Sequence, residues 1–414
     1  MKIAMIFRRL NVKGGTQRQG LSLARALKEK GHEITLFTLH YAPEQCYPDL
    51  LKGFNVITLP KDDMESNKNA PYYSGTYNRN PIIEIRNENS QAKKLAEIMN
   101  GEFDVLNPHD QVAYKVAHYY KKLKKNIPSV WNMNDLPLRR YGYDRTRACD
   151  DNFHQPAWKI FIYWIIDTYE KYAFISKMDA ITVVDFFNRD LVKKYLGLKA
   201  FTVRSGPDFD HFEFKEKQPP QNNKIKILTS GILMVHRRFE DIIKALPIIE
   251  KAGIETTLSI IGDTDNDKKY FMKLQKIVAD LKLENKVKFL GRVSEIDLVK
   301  NYHENDVYTF QHHMQSDGLS PFEAAACGMP IVVSKTAGCH EVLRDREDAL
   351  LIEPKNPENI AQKITELVRN PDLYKKMAKN ANAFVRANFS WPKYADGILA
   401  VMKEVKEKGS QIKL

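Results

Sequence analysis

The chain has no run of the roughly 18 apolar residues that a bilayer-spanning helix requires. Its first residues, MKIAMIFRRL, reach Arg8 and Arg9 before a signal-peptide core can form, so the expected location is the cytoplasm. Cysteine is scarce. Cys46, Cys149, Cys327 and Cys339 lie far apart and make neither a CxxC pair nor a Cys/His ligand pattern, which argues against a disulfide framework and a zinc site. His312 and His313 are adjacent, and on a strand they point to opposite faces rather than chelating one ion. There is no GxGxxG fingerprint and no Walker lysine. No internal repeat or low-complexity tract interrupts the chain. No metal and no cofactor is assigned.

What remains is an ordinary globular composition. Hydrophobic residues make up 43% and charged residues 28% of 414 positions, enough for two or three packed domains. The net charge is +12, and it is uneven. Residues 1–200 carry 31 Lys and Arg against 22 Asp and Glu, whereas the remainder carries 33 against 30. A basic first half can draw in anionic lipid, phosphorylated substrates or nucleic acid. No nucleic-acid recognition module is visible, which places that last class behind the others.

The first stretch reads as a strand (Ile3–Phe7), a glycine turn at Gly14-Gly15, an amphipathic helix (Leu21–Lys30), a stop at Gly31 and a second strand (Ile34–Phe37). Short apolar strands recur at Val56–Leu59, Val105–Leu106, Ser129–Trp131 and Ala180–Val184. Residues 213–225, EFKEKQPPQNNKI, lose apolar periodicity and read as a connection. Alternation then restarts through Ile225–Leu228, Leu258–Ile261, Val287–Leu290, Val307–Phe310, Pro330–Val333 and Leu350–Ile352. The fold class is α/β, with two doubly wound Rossmann-like domains in series. The expected divisions are 1–212, 213–390 and a C-terminal helix over 391–414 packing back toward the first domain.

Several clusters sit where strands should end. Gly14-Gly15-Thr16 opens a helix, and it serves either as a phosphate cradle or as a tight turn. Asn107-Pro108-His109-Asp110 and Asn132-Met133-Asn134-Asp135 fall at the strand ends where open α/β sheets bind ligands. Arg237-Arg238 offers forked donors suited to phosphate. Gly318 and Leu319 precede Ser320-Pro321-Phe322-Glu323, which reads as a capping box with Ser320 at the N-cap and Glu323 three positions on. Glu323 either completes that cap or binds hydroxyls such as those of a ribose.

These residues resemble the retaining nucleotide-sugar glycosyltransferases of family 4, which have the two-Rossmann-domain GT-B fold with domains facing across a cleft. The resemblance spans nearly the whole chain. It runs through Gly14-Gly15-Thr16-Gln17-Arg18, Gly31-His32-Glu33, Arg204-Ser205-Gly206-Pro207-Asp208, Leu290-Gly291-Arg292-Val293, Asn305-Asp306-Val307, Cys327-Gly328-Met329-Pro330 and Gly338-Cys339-His340-Glu341.

That family implies an N-terminal acceptor domain and a C-terminal donor domain. Gly14 and Gly15 would approach the donor diphosphate, Arg237 would bind its phosphates, and Glu323 would hold the ribose. The amides of Gly318, Leu319 and Ser320 would face phosphate and sugar, and Arg292 and Val293 would lie beside the base. Catalytic roles would fall to His109, Asp110, Asn134 and Arg237. Three positions depart from the family pattern. Gln315 stands for the first Glu of the Glu-x7-Glu motif, Ile232 for a phosphate-binding arginine, for which Arg238 would compensate, and Asn134 for a histidine. The family's mechanism uses the departing diphosphate to help deprotonate the acceptor, so it needs no carboxylate nucleophile. The implied partners are a nucleotide-sugar donor and a glycan, lipid-linked or small-molecule acceptor. Two other classes fit the same resemblance: a nucleotide-sugar epimerase and a non-catalytic donor-binding subunit.

Trp158–Tyr172, WKIFIYWIIDTYEKY, is either a buried helix or an aromatic surface near Lys121, Lys122, Lys124, Lys125, Arg139 and Arg140. The second alternative gives peripheral contact with an anionic membrane at its inner surface.

Overall fold

The computed structural model describes residues 1–60, 81–150 and 152–408. It divides into two compact units. One comprises residues 1–144, 155–205 and 391–414, and the other residues 145–154 and 206–390. Residues 409–414 of the expected C-terminal helix lie outside the described residues.

The first unit holds a parallel seven-stranded sheet. Its strands are β1 (Lys2–Leu10), β2 (Glu33–Tyr41), β3 (Asn55–Thr58), β4 (Val105–His109), β5 (Val130–Met133), β6 (Ala180–Val183) and β7 (Phe201–Thr202), in the order β3-β2-β1-β4-β5-β6-β7. The register pairs Ile3 with Ile34 on one side and with Val105 on the other. Strands β4, β5 and β6 are buried along their whole length, as parallel strands covered on both faces must be. The helix Trp391–Lys408 belongs to this unit. Its Tyr394, Ala395, Ile398 and Met402 share a core with Ile3, Met5, Leu23 and Leu27.

The second unit repeats the plan with β8 (Lys224–Ser230), β9 (Glu255–Ile261), β10 (Val287–Gly291), β11 (Val307–Phe310), β12 (Ile331–Ser334) and β13 (Leu350–Ile352). Their order is β10-β9-β8-β11-β12-β13. Four of its helices among the described residues start at a side-chain acceptor. Asp267, Ser294, Asn356 and Asn370 each take a backbone N–H of the first turn.

In each sheet the chain winds outward one way and then the other, from β1 and β4 in the first and from β8 and β11 in the second. Loops leaving the carboxyl ends of those strands frame the place where an α/β sheet binds ligands. Among the described residues, no helix is long and apolar enough to cross a membrane.

Candidate active site

In the second unit, the loops after β8 and β11 are tied together. The His313 amide donates to the His236 carbonyl at 2.8 Å, and Gln311 Nε2 donates to the Arg237 carbonyl at 3.3 Å. Arg237 Nη1 donates to His312 Nδ1 at 3.0 Å. His312 is fully buried, and burial followed by the Arg237 charge holds its pKa well below the usual range. It is therefore a neutral acceptor that aims the guanidinium.

Arg238 has a different fate. Its Nε and Nη2 grip Asp241 at 2.9 and 2.6 Å, Nη1 reaches Glu240 at 3.1 Å and the Cys149 carbonyl at 2.9 Å. Only 12% of its side chain is exposed. The guanidinium is committed inside the protein, so it does not replace the arginine missing at Ile232.

The expected capping box is absent. The helix runs Leu319–Ala326 with Gly318 at the N-cap in a left-handed conformation (φ 98°) and no side-chain cap. A Cβ on Gly318 would stand 2.6 Å from the Phe310 ring, so this turn before the helix requires glycine. Glu323 accepts from the buried Tyr302 hydroxyl at 3.0 Å. Ser320 hydrogen-bonds Tyr308, whose hydroxyl also meets Ser230 Oγ at 2.8 Å. Gln315 Nε2 donates to the Ser316 carbonyl and hydroxyl at 2.9 and 3.3 Å. The Gln315 side chain also bonds His236. At the neighbouring strand ends, Arg292 Nη2 meets Asp263 Oδ2 at 2.7 Å, and Val293 packs against the core beside it.

In the first unit, Gly15 begins the helix Gly15–Glu29, and a Cβ there would meet nothing within 4 Å. Gly14 is extended backbone at the N-cap, and the first turn carries no acidic side chain. This open, electropositive helix end is suited to an anion.

His109 belongs to a buried polar ladder. Its Nε2 bonds Asn107 Oδ1 at 2.9 Å. Asn107 Nδ2 donates to the Val130 carbonyl and to Asn132 Oδ1, and Thr182 Oγ1 donates to Asn132 Oδ1 at 2.6 Å. Since Asn107 spends its amide hydrogens elsewhere, the His109 proton sits on Nε2. The ring stacks on Phe7 at 4.8 Å, and burial lowers its pKa to about 3. His109 was expected among the catalytic groups; enclosed and neutral, it instead braces the end of β4.

The next residue is less enclosed. Asp110 is half-buried with φ 60°. Burial, then the charge of Asp135, push its carboxyl up to about 7 against Arg8 and Arg9. Asn134, half-buried at the end of β5, accepts from Asn188 Nδ2 through its carbonyl at 3.2 Å.

Comparison with known proteins decides the family. A model described as glycosyltransferase family 4 matches residues 13–206, and one described as glycosyl transferases group 1 matches residues 210–384. The chain belongs to the group 1 glycosyltransferases. An uncharacterized glycosyltransferase of Methanocaldococcus jannaschii is 24% identical over 97% of this chain and 98% of its own length. The N-acetyl-alpha-D-glucosaminyl L-malate synthase of Bacillus anthracis is 22% identical over 91% of this chain and 90% of its own. Among solved structures, Anabaena HepE in complex with UDP-glucose aligns over 98% of this chain and all of its own, with a TM-score of 0.71 at 14% identity, which shows the shared GT-B fold.

Several partners in this glycosyltransferase escaped the sequence reading. Tyr302 and Tyr308 are buried hydroxyls that fix Glu323 and Ser320, and a tyrosine in the apolar strand VYTF was the available signal. Asp263-Thr-Asp265-Asn-Asp267 follows β9, a spacing that a metal motif could share. Here Asp263 pairs with Arg292 and takes the Asp265 amide, while Asp267 caps the helix Lys268–Asp280. Among the described residues no three His, Cys, Asp or Glu side chains are grouped to hold a metal.

Proposed function

We propose that this glycosyltransferase moves a sugar from a nucleoside diphosphate to an acceptor hydroxyl with retention of anomeric configuration, without a metal ion. The carrying observation is the tie between the loops after β8 and β11, which fixes Arg237 through the neutral His312. Arg237 and the amides of Gly318, Leu319 and Ser320 meet the diphosphate charge, which grows as the sugar departs. Glu323, held by Tyr302, accepts from the ribose hydroxyls. Gln315 contributes orientation rather than charge, since its amide is engaged with Ser316.

On the acceptor side, Asp110 is poised to remove the hydroxyl proton, because its carboxyl titrates near neutral pH. His109 and the Asn107–Asn132–Thr182 ladder hold the end of β4 in place. The deprotonated acceptor attacks the anomeric carbon on the face the diphosphate leaves, so one C–O bond breaks to the diphosphate and one forms to the acceptor. The one proton of the acceptor hydroxyl, taken by Asp110, is released to solvent, while the diphosphate leaves as an anion stabilised by Arg237.

The test is an acceptor panel with nucleotide hexoses, read by proton NMR of the new anomeric centre. Retained configuration in a transferred product supports the reading. Inverted product refutes it, and an epimerised free nucleotide sugar without acceptor moves the chain to the epimerase class.

A further inference from the structure

The helix Ala157–Ala173 has two apolar faces where a surface helix ordinarily has one. Tyr163 and Ile166 point into the first unit, as do Asp167 and Glu170. On the opposite side Trp158, Phe161, Trp164, Ile165, Tyr169 and Tyr172 stand in solvent, each between 45% and 64% exposed. Phe161 and Trp164 stack on one another at 6.0 Å, so these rings form a continuous surface. Contiguous exposed apolar area of this kind marks an interaction site.

Charge says what covers it. The helix has two carboxylates, and both are turned inward. Asp167 accepts the amides of Arg139 and Arg140 at 2.9 and 3.0 Å, and Glu170 accepts from Lys115 at 2.6 Å and from Tyr114 at 3.0 Å. The outer face therefore carries no acid. Lys171 lies over the exposed Tyr172 ring at its border, while Lys159 lies over the inward-facing Tyr163. At the C-terminal end, Phe174 packs against His118 at 5.2 Å. Lys122, Lys177 and Lys121 gather near enough to help burial depress His118, and Lys122, Lys124, Lys125 and Lys177 are exposed.

We propose that this face docks on an anionic lipid bilayer, with the helix lying in the plane of the interface. Tryptophan and tyrosine rings are favoured at the level of the headgroups, where an apolar body and a polar edge are both accommodated. Lysines around them gain attraction from anionic headgroups. At about 1.5 Å per residue the helix is roughly 25 Å long, enough to present all six side chains at once. A second copy of the chain fits less well, since a self-paired face would bring two sets of lysines together. The inference does not rest on the donor chemistry proposed above.

The test is co-sedimentation of the full chain with vesicles of phosphatidylcholine alone or of phosphatidylcholine and phosphatidylglycerol in equal parts. Binding to the mixed vesicles only, reversed by high salt and accompanied by a blue shift of tryptophan emission, is expected. A Trp158→Ser, Phe161→Ser, Trp164→Ser variant and a Lys122→Glu, Lys124→Glu, Lys125→Glu variant should each bind roughly tenfold more weakly or worse. Both should keep wild-type affinity for nucleoside diphosphate, which reports on folding and on the donor site separately. Failure of the parent protein to bind mixed vesicles overturns the proposal, as does binding unchanged in both variants. A dimer disrupted by the ring substitutions, with no vesicle binding, overturns it in favour of a second copy.

Discussion

His109 and Asp110 are neighbours in sequence and opposites in character, because β4 ends between them. His109 is sealed under Phe7 and Gly20; a Cβ at Gly20 would collide with the Phe7 ring and reach 3.2 Å from His109 Nδ1. Asp110 is half-buried at φ 60°, within reach of the Asp135 charge. The proposed mechanism accordingly gives proton transfer to the Asp110 carboxyl, and kcat/KM is expected to rise with pH through about 7. Asp110→Asn should lower kcat by roughly 10²–10⁴ and flatten that limb; an unchanged pH profile would remove Asp110 from the chemistry. His40 tests the stability side of the same argument. Burial, helped by Arg9 and Arg8, lowers it to about 4. A lowered folded pKa means the native state binds fewer protons, so His40 contributes stability above pH 6.5 that is lost as pH falls toward 4. His40→Gln should make the decline in urea-melt stability across that window shallower, and an identical slope would contradict its burial as a neutral ring.

At the scale of elements, most strands were legible because parallel strands buried on both faces are apolar runs such as IVV in β12 and ITV in β6. The strand ends were legible too, since Asn, His and Asp break those runs where the backbone reaches the sheet edge. β7, two residues long, has no pattern to read. The helix Leu319–Ala326 was misplaced because local spacing made Ser320 a good cap, while the contact that requires glycine at the turn, Phe310 against Gly318, joins different elements. The orientation of Arg238 was hidden for the same reason: its carboxylate partners were visible nearby, but not their burial. Gly318→Ala introduces both a strained φ and a Cβ 2.6 Å from Phe310, whose ring is already pressed against His312 at 3.9 Å. It is expected to cost about 1–3 kcal/mol in stability and to weaken donor binding measurably. A variant with wild-type melting and wild-type affinity would show that the turn tolerates a side chain. Tyr302→Phe should lose about 1–3 kcal/mol by withdrawing a buried donor from Glu323, with donor affinity falling alongside melting temperature.

For the whole molecule, two doubly wound units each place functional loops at the carboxyl edge of a parallel sheet, and family membership explains why the plan is used twice. The proposed mechanism gives the diphosphate charge to Arg237 and helix amides, and Asp263 is engaged by Arg292 and Asp267 by its own helix. Transfer activity is accordingly expected to persist in excess EDTA; loss on chelation with recovery in Mg²⁺ or Mn²⁺ would assign the diphosphate to a metal instead. The role of Arg237 is the most direct point to measure. Calorimetric titration of nucleoside diphosphate into the parent chain and into Arg237→Ala should show the variant weaker by about 1.5–3 kcal/mol, roughly tenfold to 150-fold in Kd, with nucleoside affinity little changed. Equal diphosphate affinity in the two proteins would contradict a donor site built on the loops after β8 and β11.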